Sequence, residues 1–342
     1  MSEPARFPEA LLRERCETLL TRAGASPADA SAITRALLHA SLVGVDSHGV
    51  RLIPHYTDML RSGAFNPTPN RTLRQTAPAA AMLDADNGPG HPASYEAMTE
   101  AVRLATKTGI GAVGVFRSSH FGAAGAYALA AAEQGLIGIV TTNSDSAVCL
   151  FGGAVPFHGT NPIAMAAPVA GANPWVLDMA TSSIPFNRVK LFRSLGKPLP
   201  PGVAVDTGGH PTQDPEKAAF LQPLGGEEYG FKGAALAGVV AILSAVLTGA
   251  AIDPEMAPTD AGTAQNVGHF FIAIDPEHFV GRAGYDAAMT RYLTRLRGST
   301  PVDPNHPVMA PGDREWKEAA DRTEHGIPVD PDTMRALGLS SH

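Results

Sequence analysis

The chain has 342 residues, 44% of them hydrophobic and 17% charged, with a formal net charge of −7 and a pI near 5.9. That length can bury a large core in one elaborate domain or two, and an acidic balance without a Lys/Arg cluster excludes nucleic acid as a partner. Its two cysteines, Cys16 and Cys149, both lie in apolar stretches, which excludes a disulfide framework and a thiolate metal site and points to buried, reduced thiols.

The first fifteen residues carry charges throughout and leave no apolar core for a secretory signal, so a cytoplasmic protein is expected. Leu11, Leu12, Cys16, Leu19 and Leu20 recur at helical spacing up to Gly24. Ser26-Pro27 with Asp29 then supplies a cap, a first-turn proline and a capping-box acid for a second helix, which carries Ile33, Leu37 and Leu38 on one face. A third helix, through Tyr56, Met59 and Leu60, ends at Gly63.

Between the second and third helices lies Gly44-Val45-Asp46-Ser47-His48-Gly49-Val50-Arg51. Two readings of it stand side by side. In one, Asp46 or Ser47 caps a helix and His48 is a solvated first-turn residue. In the other, the glycine-flanked loop presents an imidazole that titrates near neutrality and a guanidinium that can fork onto a carboxylate. A hydrolase triad does not follow from adjacent Ser, His and Asp, since triad members converge from separate chain positions and no G-x-S-x-G elbow is present.

Beyond Arg71 come short apolar runs, a helix from Ala93 to Lys107, a strand from Ile110 to Phe116, the turn Arg117 to Gly122, an Ala-rich helix from Ala123 to Gln134 and a strand from Ile137 to Thr141. A strand, a polar turn and a helix N-terminus in that order make an anion-receptive corner. Yet no full G-x-G-x-x-G occurs, and strand-helix alternation stops after Ile137. The expectation is therefore a mixed α/β fold with a largely antiparallel central sheet, non-Rossmann, with N- and C-terminal helices packed together. The helical region is expected over 1–75, packing with 300–342, and the sheet-containing cofactor and substrate region over 76–299.

Loop clusters at Thr142 to Ser146, Gly152-Gly153 and Gly159 to Pro162 separate further short strands and gather on one rim, where binding residues collect. Pro185 to Pro215 reads as a long surface excursion. Gly225 to Gly233 reads as a flexible loop delivering Lys232 to the start of a helix, where a cation is either a mobile surface group or the partner of a phosphate or carboxylate. The uncharged stretch Gly233 to Ile252 is long enough for a bilayer, but its Ala/Gly composition and lack of an aromatic belt make it a helix buried on all sides in a protein with no membrane partner. A strand over Gly268 to Asp275 and a Pro-rich tail with Pro311-Gly312-Asp313 before a last helix complete the chain.

DSHGV followed by P-H-Y, SSHFGAAGAYALAAAEQGLIG, FGGAVPFHGTNPIAMAAP, VLDMATSS, PTQDP and NVGHFFIAIDP stand in the chain in that order. In these blocks, from about Leu11 to about Trp316, the sequence resembles the malate/L-lactate dehydrogenase family of non-Rossmann, NAD- or NADP-dependent 2-hydroxy-acid oxidoreductases, which includes ureidoglycolate, sulfolactate, diketogulonate and piperideine-carboxylate enzymes. The resemblance implies a homodimer, His48 as the proton donor in ketone reduction with Ser47 as its orienting neighbour, and Thr160 against the substrate. It implies cofactor contacts at His120, Phe121, Gly122, Ala123, Ala124, Asp178, Met179, Ala180, Lys232 and Gly233, with Pro311-Gly312 closing over the cofactor. It implies no metal. His120 is the second candidate for the proton donor. The sequence departs from the family where the carboxylate-binding arginine belongs: Leu52 stands there, Arg51 is one residue early, and Arg188 is a further candidate for the substrate carboxylate. The readings kept beside a dehydrogenase are an imino-acid reductase and a binding or scaffold member of the same fold.

Overall fold

The computed structural model describes residues 5–258 and 261–340. The chain runs through β1 (Ala5–Phe7), α1 (Glu9–Arg22), α2 (Pro27–Leu42), α3 (Ile53–Ser62), β2 (Thr72–Ala77), β3 (Ala80–Asp84), α4 (Gly90–Thr108), β4 (Ile110–Ser118), α5 (Gly125–Ala132) and β5 (Ile137–Thr142). There follow β6 (Val148–Cys149), β7 (Pro156–His158), β8 (Ile163–Ala167), β9 (Trp175–Met179), α6 (Phe186–Ser194), β10 (Ala204–Val205), β11 (Phe220–Leu221) and α7 (Gly226–Ala241). Last come β12 (Val267–Ile274), α8 (Arg282–Arg297), α9 (Asp313–His325), β13 (Ile327–Val329) and α10 (Pro331–Leu337).

The main sheet has the order β2-β3-β4-β12-β5-β8-β9, and only the β3–β4 pair in it is parallel. This is the mixed, largely antiparallel, non-Rossmann arrangement expected. The late strand β12 sits between β4 and β5, antiparallel to both, so a residue near the C-terminal third of the chain lies between two that come early. Helices α4 and α5 cover the sheet and share its core with Val113, Val115, Val140, Phe271 and Tyr127.

A second core joins the two ends of the chain. Leu12, Cys16 and Leu20 of α1, Ile33 and Leu37 of α2 and Tyr56 of α3 pack with Ile327, Val329, Met334 and Leu337, while β1 pairs with β13. The N- and C-terminal helices therefore pack together, driven by the apolar stripes read from the sequence. Ser26 caps α2 by accepting the Asp29 amide at 3.1 Å, but the Asp29 carboxylate leaves the capping box to pair with Arg71 at 2.9 Å. A third, smaller core lies under β6, α6, β10 and β11 around Val148, Val189 and Leu221.

Three expectations are corrected. The stretch from Pro185 to Pro215 contains α6, anchored by the fully buried Val189. The helix expected to be buried on all sides begins at Gly226, continues past α7 as a π-helical segment at Ile242–Val246, and leaves Val239, Ile242, Val246 and Leu247 about half to two-thirds exposed. Lack of charge marks an apolar helix but does not say on how many sides it is covered. By length and composition this helix could cross a bilayer; it is the one such helix among the described residues, and its π-helical end packs on β12, β4 and β5. Finally, Lys232 does not start the helix but sits in its second turn.

Arg322 of α9 couples the two chain ends to the loop before α3. Its side chain is only 7% exposed and donates to the Ser41 carbonyl at 2.6 Å, to the Asp46 carboxylate at 2.5 and 3.1 Å and to Glu318 at 2.7 Å. Arg322→Met is expected to cost about 2 kcal/mol, the value of lost charged hydrogen bonds whose carboxylate partners keep some water. The midpoint of urea unfolding measures it.

Candidate active site

Asp46–His48 and Val50–Leu52 form two short 3₁₀ turns, neither capped by a side chain. The cap reading of this loop is thereby overturned: Asp46 is spent on Arg322, and Ser47 Oγ lies 2.9 Å from His48 Nδ1. The Ser41 hydroxyl accepts the Val50 amide at 3.0 Å and fixes the loop on the end of α2.

His120, in the turn between β4 and α5, comes to face it. The two rings are 5.9 Å apart between centroids and tilted by 30°. Tyr56 of α3 lies behind His120, with its hydroxyl 2.6 Å from Nδ1 and its ring stacked at 6.0 Å. Burial lowers the pKa of His48, and holds His120 still further below the ordinary imidazole value, with lesser contributions from His48, His91, His55 and His269. Both rings are neutral at working pH in the free protein. Each has one ring nitrogen matched to a hydroxyl and the other left for the hollow it lines.

That hollow, about 60 Å³, is walled by Phe121, Gly122, Thr142, Asn143, Ser144, Thr160, Pro162, Met256, Gln265 and Val267 besides the imidazoles. Gly122 has φ +76°, a left-handed conformation that side chains resist, and an added Cβ would lie 3.4 Å from His91 Nε2. His269 of β12, fully buried, bridges Ser118 at 2.8 Å and Thr142 at 2.7 Å and stacks on Phe121 at 4.5 Å.

The floor is organised by Asp253, 1% exposed. One carboxylate oxygen accepts Asn143 Nδ2 at 2.9 Å, and the other accepts Asn161 Nδ2 at 2.7 Å and the Gly159 amide at 3.3 Å and lies 2.9 Å from His158 Nδ1. Against the cost of its burial, the hydrogen bonds from His158, Asn161, Asn143 and Gly159 leave this carboxyl below the usual range. Asn143 and Asn161 in turn hold the Gly268 and Ser144 amides at 3.0 and 3.2 Å, so loops from three strands are tied at one point.

A second hollow, about 220 Å³, runs on the other side of the Gly122–Ala123 step, lined by Ala123, Gly125, Asp178, Pro311, Gly312, Trp316 and their neighbours. Asp178, at the end of β9, accepts the Gly125 amide at 2.8 Å and so takes one of the free donors of the α5 N-terminus. Close packing of protein around this carboxyl, which still opens to the groove, pushes it up to about 6 despite that hydrogen bond. Gly312 has φ +95°, and a Cβ there would meet the Val176 amide at 3.0 Å, so the Pro311 loop lies close on β9. A groove beside a small hollow that carries two imidazoles, with backbone approach at two left-handed glycines, fits a nicotinamide dinucleotide.

Thus His48, His120, Phe121, Gly122 and Thr160 of the expected set meet at the hollow, with Ser47 behind His48, and Ala123, Asp178, Pro311 and Gly312 meet at the groove. Ala124 is buried at the start of α5, and Met179 and Ala180 follow Asp178. Three cations are elsewhere. Arg51 is exposed and lines a separate pocket with Asp46, Arg322 and Asp330. Arg188 lies exposed on α6 above Phe192, at 5.7 Å. Lys232 lies over Tyr229 and Phe231 at 5.2 and 5.9 Å, and Gly233 beneath it packs on the Leu224 backbone. Tyr56, Asn143, Met256, Gln265, His269 and Asp253 were not singled out from the sequence. Tyr56 had been read only as one residue of a helical stripe, and no spacing signal joins Asp253 to Asn143 across 110 residues.

Residues 7–338 match the family model described as malate/L-lactate dehydrogenase. The malate dehydrogenase of Pyrococcus abyssi is 37% identical over 317 residues, 91% of this chain and 87% of that protein. The L-sulfolactate dehydrogenase of Methanocaldococcus jannaschii is 34% identical over 328 residues, 93% of this chain and 91% of that protein. The chain belongs to the malate/L-lactate dehydrogenase family. Among solved structures, the malate dehydrogenase of Pyrococcus horikoshii superposes with a TM-score of 0.89 at 32% identity, covering 99% of this chain and 97% of the other. The protein is an oxidoreductase of this family, moving a hydride between a nicotinamide cofactor and a small 2-hydroxy or 2-oxo acid.

Burial of imidazoles at this centre makes the fold acid-sensitive. His91, without a hydrogen-bond partner among the described residues, and His269 are both held down to about 3 by burial. Between the unfolded value of about 6.5 and that level the unfolded chain binds more protons, so full stability is present above pH ~6.5 and is lost as pH falls toward 3. The melting temperature is expected to drop between pH 7 and pH 5, and His91→Phe should make the drop shallower.

Proposed function

We propose that His48 exchanges the proton with the substrate oxygen and that His120 holds that oxygen in place. The observation that supports this division is the nature of the hydroxyl on each Nδ1. A phenol is a stronger donor than an aliphatic alcohol, so Tyr56 donates to His120 Nδ1, which puts the ring proton of His120 on Nε2 as a donor into the hollow. Ser47 accepts from His48 Nδ1–H, leaving His48 Nε2 as a base for oxidation of the hydroxy acid. A bound nicotinamide supplies or takes the hydride at the carbon. As negative charge develops on the oxygen during reduction, protonated His48 neutralises it, and His120 N–H stabilises it in a site walled in part by Phe121, Pro162 and Val267.

The groove residues Ala123, Asp178, Pro311 and Gly312 would hold the cofactor, NAD or NADP, with His120, Phe121 and Gly122 at its reacting end and Ala124, Met179 and Ala180 behind. Lys232 and Gly233 keep a cofactor role in this reading only if the helix bearing them closes over the groove. Thr160 stands against the substrate. Arg51 and Arg188, directed elsewhere, serve the substrate carboxylate only after a rearrangement. The division into a helical part, 1–75 with 300–342, and a sheet-containing part, 76–299, is supported by the core that joins the chain ends, although Ala36 and Trp316 pack into the core of the sheet and β2 begins at Thr72. A homodimer is supported by the exposed apolar face of the α7 helix and by the prevalence of twofold pairing. A cytoplasmic location is supported by two buried free thiols.

His48→Ala is expected to lower turnover at least about a hundredfold with cofactor affinity nearly unchanged, whereas Tyr56→Phe should lower it about tenfold. Near-normal turnover in His48→Ala with its loss in His120→Ala would exchange the two roles. For oxidation, kcat/KM should rise with pH through an apparent pKa below 6.5 and then level off, because neutral His48 is the active form and burial lowers its pKa. Steady-state rates from pH 4.5 to 9 measure this.

A further inference from the structure

The charge inventory of the hollow says which acids it can take. We propose that the substrate carries a single negative charge, a 2-oxo or 2-hydroxy monocarboxylate, and that dicarboxylates and sulfonated acids are discriminated against. This rests on the reading of the His48–His120 hollow as the substrate site. Two anionic groups brought out of water into one small hollow need two counter-charges or a dense set of donors, since an unpaired charge in a low-dielectric site is strongly disfavoured.

The lining offers no fixed counter-charge. It contains no lysine or arginine, and four of its walls are Phe121, Pro162, Met256 and Val267. The residues outside the described part of the chain include no lysine or arginine either. Arg117 is paired at 2.9 and 2.6 Å with Asp84 and Asp86 and Arg322 with Asp46 and Glu318, while Arg51 lines its own pocket, Arg188 lies over Phe192 and Lys232 over Tyr229 and Phe231, all outside the lining of the hollow. Asn143 has no donor to spare for an anion, with its amide nitrogen donating to Ala251 O and Asp253. His269 and Thr142 are satisfied by each other, by Ser118 and by the Gly268 carbonyl.

Besides the second nitrogen of each imidazole and the Thr160 hydroxyl, the polar side chains of the lining are the Ser144 hydroxyl, which accepts the Thr160 amide, and the Gln265 carboxamide, which donates to the Ala257 carbonyl, and none of these carries a fixed charge. In the oxo-acid complex these groups serve one ketone oxygen and one carboxylate with protonated His48 as the single balancing charge, and in the hydroxy-acid complex, where His48 is neutral, a second anionic group is opposed more strongly still. A second carboxylate or a sulfonate would lie against Met256, Pro162 or Val267. The arginine that the family resemblance puts four residues after His48 is here Leu52, half-buried against the apolar core that joins the chain ends. The departure in sequence and the charge count in space agree.

The test compares kcat/KM for pyruvate and 2-oxobutanoate with that for oxaloacetate, sulfopyruvate and 2-oxoglutarate, using the full-length protein with NADH and with NADPH. A second arm compares inhibition of the same reaction by oxamate, a monoanion, and by tartronate, a dianion. Monoanionic oxo acids are expected to be preferred at least tenfold, and oxamate to inhibit at a lower concentration than tartronate. Oxaloacetate or sulfopyruvate turned over as well as pyruvate or better, with tartronate matching oxamate, would overturn the inference while leaving the oxidoreductase reading intact. Absence of turnover with every acid would overturn the reading of the hollow itself, and this inference with it.

Discussion

Two hydroxyls pin the two imidazoles, and the chemistry of the site follows from that constraint. A buried imidazole with both nitrogens free to exchange tautomers would present a donor in one molecule and an acceptor in the next. Tyr56 is wholly buried, and its 2.6 Å contact with His120 and the 2.9 Å contact between Ser47 and His48 remove that ambiguity. Burial then keeps both rings neutral until a substrate brings its own charge.

Everything around the pair serves to place it. His48 is carried by a loop whose acid, Asp46, is clamped by Arg322 from the far end of the chain, so the packing of the chain ends is also the setting of the His48 loop. His120 is carried by the turn after β4. The opposite wall is set by Asp253, through which the loops after β5 and β7 and the start of β12 are fixed on one another. A carboxylate with so many donors is costly to remove and rigid while present, and it holds the wall of the hollow in one arrangement.

The N-terminal helices were legible because their apolar stripes repeat at helical spacing and their ends carry Ser26-Pro27 and Gly63. The antiparallel character of the sheet was legible from the loss of strand-helix alternation after Ile137. The insertion of β12 between β4 and β5 was not, because pairing partners more than a hundred residues apart leave no local trace. At the site, His48 stood out through its glycine-flanked loop, and His120 through the family resemblance and its place in the turn between a strand and a helix. Tyr56 looked like one more residue of a helical stripe and Asp253 was not singled out, since what makes them matter is the partner each meets in space. The cap reading of Asp46 failed for the same reason: Arg322 lies 276 residues away. Lys232 was misplaced because Gly225-Gly226 reads as a loop, whereas the helix starts within it.

The opposed tautomers of the two imidazoles are the core of this account, and nitrogen chemical shifts of ¹⁵N-labelled histidine in the free protein at pH 7 report them directly, with His48→Gln and His120→Gln used to assign the signals. The account predicts two neutral rings, His48 protonated on Nδ1 and His120 protonated on Nε2. Matching tautomers, or a positively charged ring at either position, would contradict it.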